Sequence, residues 1–407
     1  MRKTCICVLL LIFSFVSKAQ KIENYKGNIL VDIEDEKIKA EFTITFSTLS
    51  DAGELKLFLT QFANISNISS NNNPVVYKIA EEAFIGHDRA ILINTKGVKN
   101  KKLTIQYTYD LDSIQNKDFR FNENWLELNL YTSWFPLNIE YGLFAYDINV
   151  QLNKDYQLIG SGKTSHAGEL WRIKQNNPFL DIPIIISSNF RHFNIGKGRI
   201  KIYYLLLDKK TKKAIKTSAK NHYNQLNTML GNCSSGNLVL AINKFNRSIS
   251  YSRKEFISLS IENSFKVTDE KTLAHEIAHL WWNKANVNTW EDWLNESFAE
   301  YSSIILQRNL YGEKSFNENI KKLKERITDL PSLYKLKEEK IENQKTTTYK
   351  GAHLLYELEN KIGRKDFEQL LKKVHKDRIN KTSEFLNLVK SEIGIETEQY
   401  IIDKLNE

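Results

Sequence analysis

The chain has 407 residues, enough for two or more domains with sizeable cores. It carries a formal net charge of +9, but its lysines are scattered among Glu and Asp, as across residues 321–340. They read as solvated faces and exclude a nucleic-acid footprint.

Residues 1–19 read as a secretory signal. Arg2 and Lys3 supply the charged start, residues 7–16 an apolar run, and Ser17, Lys18 and Ala19 the small-residue cleavage region. The run is short for a membrane span, and no later stretch approaches one. The expected product is exported, periplasmic or secreted. It is membrane-anchored if the signal is retained, and otherwise has no integral membrane segment. Cys5 and Cys7 lie too near the start for a lipoprotein cleavage site. Beyond the signal only Cys233 remains, so the exported chain has no intramolecular disulfide and its stability must come from packing and metal.

From residue 20 to about 207 the pattern has period two. Ile38, Ala40, Phe42, Ile44 and Phe46 alternate with polar residues, as do Leu103, Ile105, Tyr107 and Tyr109. Leu126, Leu128 and Leu130, then Ile148, Val150 and Leu152, then Ile200, Ile202 and Tyr204 repeat it. Half-buried strands separated by turn-rich gaps predict an N-terminal antiparallel β-sandwich domain over residues 20–207. Its aromatic residues suit a core better than a carbohydrate-binding face.

At Asp208 the period changes. Residues 209–230 read as a long helix and 238–242 as a buried strand. Residues 249–260 read as a second strand with a polar kink, and 272–283 as a helix. Further helices are expected over 296–309, 315–327, 351–362, 365–378, 383–393 and 396–405, so residues 208–407 form a second, mostly helical domain. The fold class is α+β.

The chemistry is stated between Lys271 and Tyr301. His275, Glu276 and His279 form H-E-x-x-H, which on a helix turns both imidazoles toward one metal ion with the carboxylate beside them. After a gap of sixteen residues from His279 comes Glu296, opening what reads as another helix. Two histidines and a glutamate are the ligand count of a catalytic zinc site, because a structural site would close all four positions. For the short motif alone, a pair of core histidines on a Leu-, Ala- and Trp-rich helix is the other reading.

Residues 275–301 resemble the aminopeptidase-N family of zinc metallopeptidases, whose hallmark is H-E-x-x-H followed by W-L-N-E-x-F-A. This chain has Trp293, Leu294, Asn295, Glu296, Ser297, Phe298 and Ala299. The connection between the motifs is two residues shorter than the family's usual one, within residues 283–289. The resemblance implies a thermolysin-like catalytic domain, a Zn2+ ion on His275, His279 and Glu296, Glu276 as general base, and a peptide or protein substrate. Glu300 is a candidate acceptor for a ligand imidazole N–H. More weakly, residues 146–162, 181–190 and 134–136 resemble the family's N-terminal β domain.

Two departures bear on activity. The family stabilises the oxyanion with the tyrosine of Y-x-K-G. Here Lys350 and Gly351 follow Tyr349 directly, so Thr348 stands in the family's tyrosine position and Tyr349 is one residue out of register. Family aminopeptidases also carry G-x-M-E-N, whose glutamate captures the substrate's free amine; Ser252 and Arg253 fall at that place. A cation there would oppose an ammonium, so amine-end specificity is expected to be relaxed unless Glu262 or Glu127 replaces the anchor. Both departures keep open a catalytically silent, peptide-binding relative, and a hydrolase of a non-peptide electrophile is a third reading. An intact Glu276 argues for turnover, since a binding protein has no evident need of a base beside the metal.

Overall fold

The N-terminal strands form because their alternate side chains have somewhere to go. In Lys37–Thr48 every second residue from Ile38 to Phe46 is buried, and Lys102–Asp110 repeats the pattern beside it. The computed structural model describes residues 20–49, 53–114, 119, 121–122, 124–233, 237–245, 249–262, 264–339 and 343–407. The signal read in residues 1–19 lies outside the described residues.

The main sheet of the N-terminal domain has eight strands, in the order 163–167, 170–179, 144–152, 21–32, 37–48, 102–110, 64–70 and 73–74. One pairing departs from the antiparallel expectation: Lys21–Asp32 runs parallel to Phe144–Leu152. Period two marks a strand's buried face but neither its direction nor its neighbour, and the long intervening chain allows a parallel return. Two three-stranded sheets share the core, one of strands 54–60, 88–94 and 77–80, the other of 157–160, 184–187 and 126–128. Tyr25, Phe42, Trp134, Phe135 and Phe144 pack ring to ring in that core. Trp134 spends its indole N–H on the Ile182 carbonyl at 3.1 Å, so these aromatics hold the domain together.

The second sheet has five strands in the order Arg191–Ile195, Ile200–Tyr204, Leu238–Asn243, Phe256–Ser260 and Tyr251–Arg253. Its first two strands precede the junction expected at residue 207, so sheet membership places the change of layer near residue 190. Alternation at Ile200, Ile202 and Tyr204 identifies a strand and is silent about which sheet receives it. The kinked strand expected over 249–260 is a hairpin. Arg253 pairs with Phe256, and the chain reverses through Lys254 (φ 56°) and Glu255, leaving Tyr251–Arg253 as the sheet's edge.

Eight helices follow among the described residues: α1 Lys209–Leu230, α2 Val267–Ala278, α3 Trp293–Ile327, α4 Leu333–Glu339, α5 Gly351–Ile362, α6 Arg364–Lys376, α7 Thr382–Glu392 and α8 Ile395–Asn406. Asp208 caps α1 by accepting from the Thr211 N–H at 2.9 Å. α3 merges the two helices expected over 296–309 and 315–327, with its one non-helical residue at Gly312 (φ 79°). α4 was not expected. α2 begins five residues before the expected 272, where Asp269 accepts from the Lys266 N–H at 2.8 Å, and it ends with His279 as its C-cap. It packs on α1 and α3 and against the hairpin edge of the five-stranded sheet.

Candidate metal centre and active site

His275 and His279 lie one turn apart, His275 in the last turn of α2 and His279 at its cap. Their Nδ1 atoms are already committed. His275 Nδ1 is 3.1 Å from Glu300 Oε2, and His279 Nδ1 is 3.1 Å from the Trp282 carbonyl. Both partners are acceptors, so Nδ1 of each ring carries an N–H, and in the neutral ring the lone pair is on Nε2, turned away from them. The two Nε2 atoms face each other at 3.2 Å. Glu296, from the first turn of α3, closes the triangle with Oε2 at 3.7 Å from His275 Nε2 and Oε1 at 3.5 Å from His279 Nε2. Donor atoms of all three lie within 4.8 Å of one another. Two imidazole Nε2 atoms and a carboxylate converge on one point, and such a point fits a cation that displaces any proton held there. Two imidazoles and one carboxylate fit zinc in its catalytic form, which reserves a fourth position for water or substrate.

Burial opposes charge on His275, yet its hydrogen bond to Glu300 and the fields of Glu296, Glu300 and Glu276 outweigh it and raise its pKa to about 9. His279 goes the other way. Burial lowers its pKa against the pull of Glu296, and the positive charges of His275 and Arg253 lower it further. Glu276 is buried beside the ligands, on the helix position after His275.

The shortened connection leaves the ligand register intact for a visible reason. Asn295, the residue before the ligand, pairs with Ala285 in both directions: its Oδ1 accepts from the Ala285 N–H and its Nδ2 donates to the Ala285 carbonyl, each at 3.1 Å. The loop is thereby fastened to the start of α3 whatever its length. Indole–hydroxyl contact between Trp282 and Ser302 at 2.9 Å and the Trp282–Phe298 ring pair hold α2 to α3 beyond it.

The tyrosine region is built on a π turn over Thr346–Lys350 that runs directly into α5. A π turn adds one residue to a helical stretch, which is the size of the departure from Y-x-K-G. Thr348, in the family's tyrosine position, donates its hydroxyl to Glu296 Oε2 at 3.2 Å. Tyr349 is half-buried under the Arg326 guanidinium, 4.8 Å from its ring centroid. Burial raises the Tyr349 pKa, and Glu300 and Glu296 raise it further against Arg326, so its phenol feels both site carboxylates. Gly351 must be glycine, because a Cβ there would collide with the Ser297 side chain and come within 2.8 Å of Trp293 Cε3. That close approach presses the π turn against the ligand turn of α3, where Ser297 also bonds the Thr347 carbonyl.

On the edge strand, Arg253 is not a free cation. Its Nε donates to buried Asp181 at 2.8 Å, its Nη1 to the Ser252 carbonyl at 2.9 Å, and its guanidinium lies 4.7 and 5.5 Å from the Tyr251 and Tyr131 ring centroids. The repulsion expected between Arg253 and a substrate ammonium is therefore largely cancelled by Asp181; what remains is the missing carboxylate. Both candidate replacements already have partners. Glu127 is buried and accepts from Trp125, Tyr251 and Ser258, at 2.9, 2.8 and 2.8 Å. Glu262 is half-exposed and pairs with Lys266. The sequence named Asn295 and Thr348 without showing what they bond, and it did not point to Asp181 or Lys271 as site residues. Only Lys271, one turn before His275, had a periodic signal.

Fold and donor set together define a zinc metallopeptidase. Residues 246–401 match the family model described as the peptidase family M1 domain, as the aminopeptidase-N-like motifs implied. No curated protein matches the chain in sequence. Among solved structures, the M1 zinc metallopeptidase from Deinococcus radiodurans is similar with a TM-score of 0.69 at 17% identity, over 96% of this chain and 94% of that one. A mutant of that metallopeptidase bound to a Tyr-Ser-Ala substrate gives 0.68 at 16%, over 96% and 94%. Native yeast LTA4 hydrolase gives 0.72 at 16% identity, over 95% of this chain and 67% of that one. At these identities the likeness is one of fold.

Proposed function

We propose that the protein is an exported peptidase that hydrolyses peptide bonds with relaxed dependence on a free amine end. The observation that carries this is the convergence of His275, His279 and Glu296 on one point, with Glu276 buried beside them. A fold shared with a metallopeptidase that binds a tripeptide supports the substrate class.

An extended peptide lies along the edge strand Tyr251–Arg253, whose outer backbone groups can pair with it. His275, His279 and Glu296 would hold the zinc, which would supply a Lewis acid for the scissile carbonyl and bring the pKa of the attacking water down toward about 7. The Glu276 carboxylate takes a proton from the attacking water as the new C–O bond forms, then delivers it to the leaving amine nitrogen as the C–N bond breaks. Tyr349 donates its phenolic hydrogen to the carbonyl oxygen as negative charge builds there. Thr348 steadies Glu296 throughout by its hydroxyl.

The test is zinc analysis and peptide-library cleavage of the purified chain lacking residues 1–19, beside Glu276→Gln. Cleavage by the first and a loss on the order of 10²-fold or more in the second, with zinc retained, supports the reading. Full zinc without cleavage by either chain would replace it with a silent peptide-binding protein.

A further inference from the structure

Glu300 does more than accept from His275. Its two oxygens are divided between two residues of α2: Oε2 takes His275 Nδ1 at 3.1 Å, and Oε1 takes the Lys271 ammonium. Lys271 and His275 are one turn apart on α2, as Glu296 and Glu300 are on α3, so the helices meet as a ladder of charged rungs. His279 faces Glu296, His275 faces Glu296 and Glu300, and Lys271 closes the ladder on Glu300. The last rung is sheltered, with the Lys271 and Glu300 side chains 21% and 8% exposed.

We propose that Lys271 is a positioning residue for the metal centre, acting through Glu300 on His275. A buried carboxylate beside a ligand imidazole is useful only in one orientation, accepting from Nδ1 so that Nε2 stays bare. By holding Oε1, Lys271 leaves Oε2 as the oxygen that faces the ring. It also sets the charge. Glu276, Glu296 and Glu300 bring three formal negative charges and Lys271 removes one, so the protein presents the complement of a divalent cation. Without Lys271, Glu300 is a buried anion with one partner, free to rotate toward the ligands or recoil from Glu296. Lys271 touches neither substrate nor metal, and its effect is read at the metal.

The inference rests on the zinc reading of the site, and the experiment separates the two. Zinc affinity is measured by competition with a chromophoric chelator for wild type, K271M, E300Q and the double variant. The visible absorption of the cobalt-substituted proteins is recorded alongside, since it reports ligand geometry rather than turnover. K271M is expected to weaken zinc by about 10- to 100-fold and to shift the cobalt bands. In the E300Q background the carboxylate that Lys271 restrains is gone, so adding K271M should change zinc affinity by no more than about twofold. An equal loss from K271M in both backgrounds, or none in either with an unchanged cobalt spectrum, overturns the proposal. A lowered melting temperature alone would then mark Lys271 as a brace between helices. If K271M does not fold, K271Q carries the same comparison. Wild type that takes up no zinc sinks the metal reading itself, a result distinguishable from the others.

Discussion

Thr348 donates its hydroxyl to Glu296 Oε2 at 3.2 Å, so the residue standing where the family has its tyrosine grips the carboxylate proposed as the third metal ligand. The π turn that delivers Thr348 there also carries the next residue, Tyr349, to a half-buried place where it feels Glu296 and Glu300. One departure from the motif is thus divided between two side chains. Tyr349→Phe is expected to lower kcat by about 10²–10³ with KM little changed, because an oxyanion donor acts mainly in the transition state. Thr348→Val should leave that chemistry in place and instead weaken zinc, by no more than the ~10- to 100-fold typical of groups that orient a ligand. Steady-state kinetics with parallel zinc titration check both; a Tyr349→Phe enzyme as fast as wild type removes the phenol from the mechanism.

How much of this was legible in the sequence follows from the range of each interaction. His275 lies one helical turn from His279 and Glu300 one turn from Glu296, and periodicity marked them. Glu296 followed from a motif, and Asn295 explains why its register survived a shorter loop. The strands of the β domain were visible as alternation, but the parallel pairing of Lys21–Asp32 with Phe144–Leu152 was not, since two segments more than a hundred residues apart carry no mark of their partner. The Asp181–Arg253 pair was hidden for the same reason, and with it the neutralisation of the cation read at the amine position. The π turn was half visible: a tyrosine one residue out of place signalled an irregularity without showing its form.

Glu296→Ala is expected to lose zinc by more than the ~100-fold upper range for outer partners. Glu300 cannot step in, because Lys271 and His275 hold both its oxygens. Dialysis against a chelator of known free zinc, with metal measured by elemental analysis, checks this. Stoichiometric zinc in Glu296→Ala at sub-micromolar free metal would require a different third ligand.

His222 makes stability depend on pH. It is fully buried on α1, with Ser218 Oγ 3.0 Å from its Nε2 and the Glu270 carboxylate 3.8 Å away on α2. Burial lowers its pKa to about 4, with Glu270 opposing. The unfolded chain therefore takes up a proton near pH 6.5 that the native protein refuses until about pH 4, so the stability His222 contributes is present above pH 6.5 and lost as pH falls to about 4. The loss is on the order of 3 kcal/mol. Urea unfolding at pH 7 and pH 4.5 should show a smaller drop for His222→Gln than for wild type. Equal drops would show that other groups carry the acid sensitivity.

The last expectation concerns the end of the peptide. In the family a carboxylate on the edge strand receives the substrate ammonium, and here Ser252 and Arg253 hold that place. Arg253 is spent on Asp181, Glu127 on Trp125, Tyr251 and Ser258, and Glu262 on Lys266. An ammonium brought to Ser252 and Arg253 would find a neutral ion pair where the family has an anion. At about 4 Å an opposite charge is worth near 1 to 4 kcal/mol for ε between 80 and 20, which is roughly 5- to 1000-fold in discrimination between free and capped ends. That discrimination is expected to be lost. Matched peptides with free and acetylated amine ends should be cleaved with kcat/KM values within about twofold of each other, below the ~5-fold that the weakest such anchor would give, and both activities should vanish in Glu276→Gln. Stepwise release of single residues from the free peptide alone would restore strict amine-end specificity and require an anchor these carboxylates do not provide. Introducing one gives the converse test. Ser252→Glu places a carboxylate on the edge strand without disturbing the Arg253–Asp181 pair, and it should favour the free peptide over the acetylated one by severalfold or more.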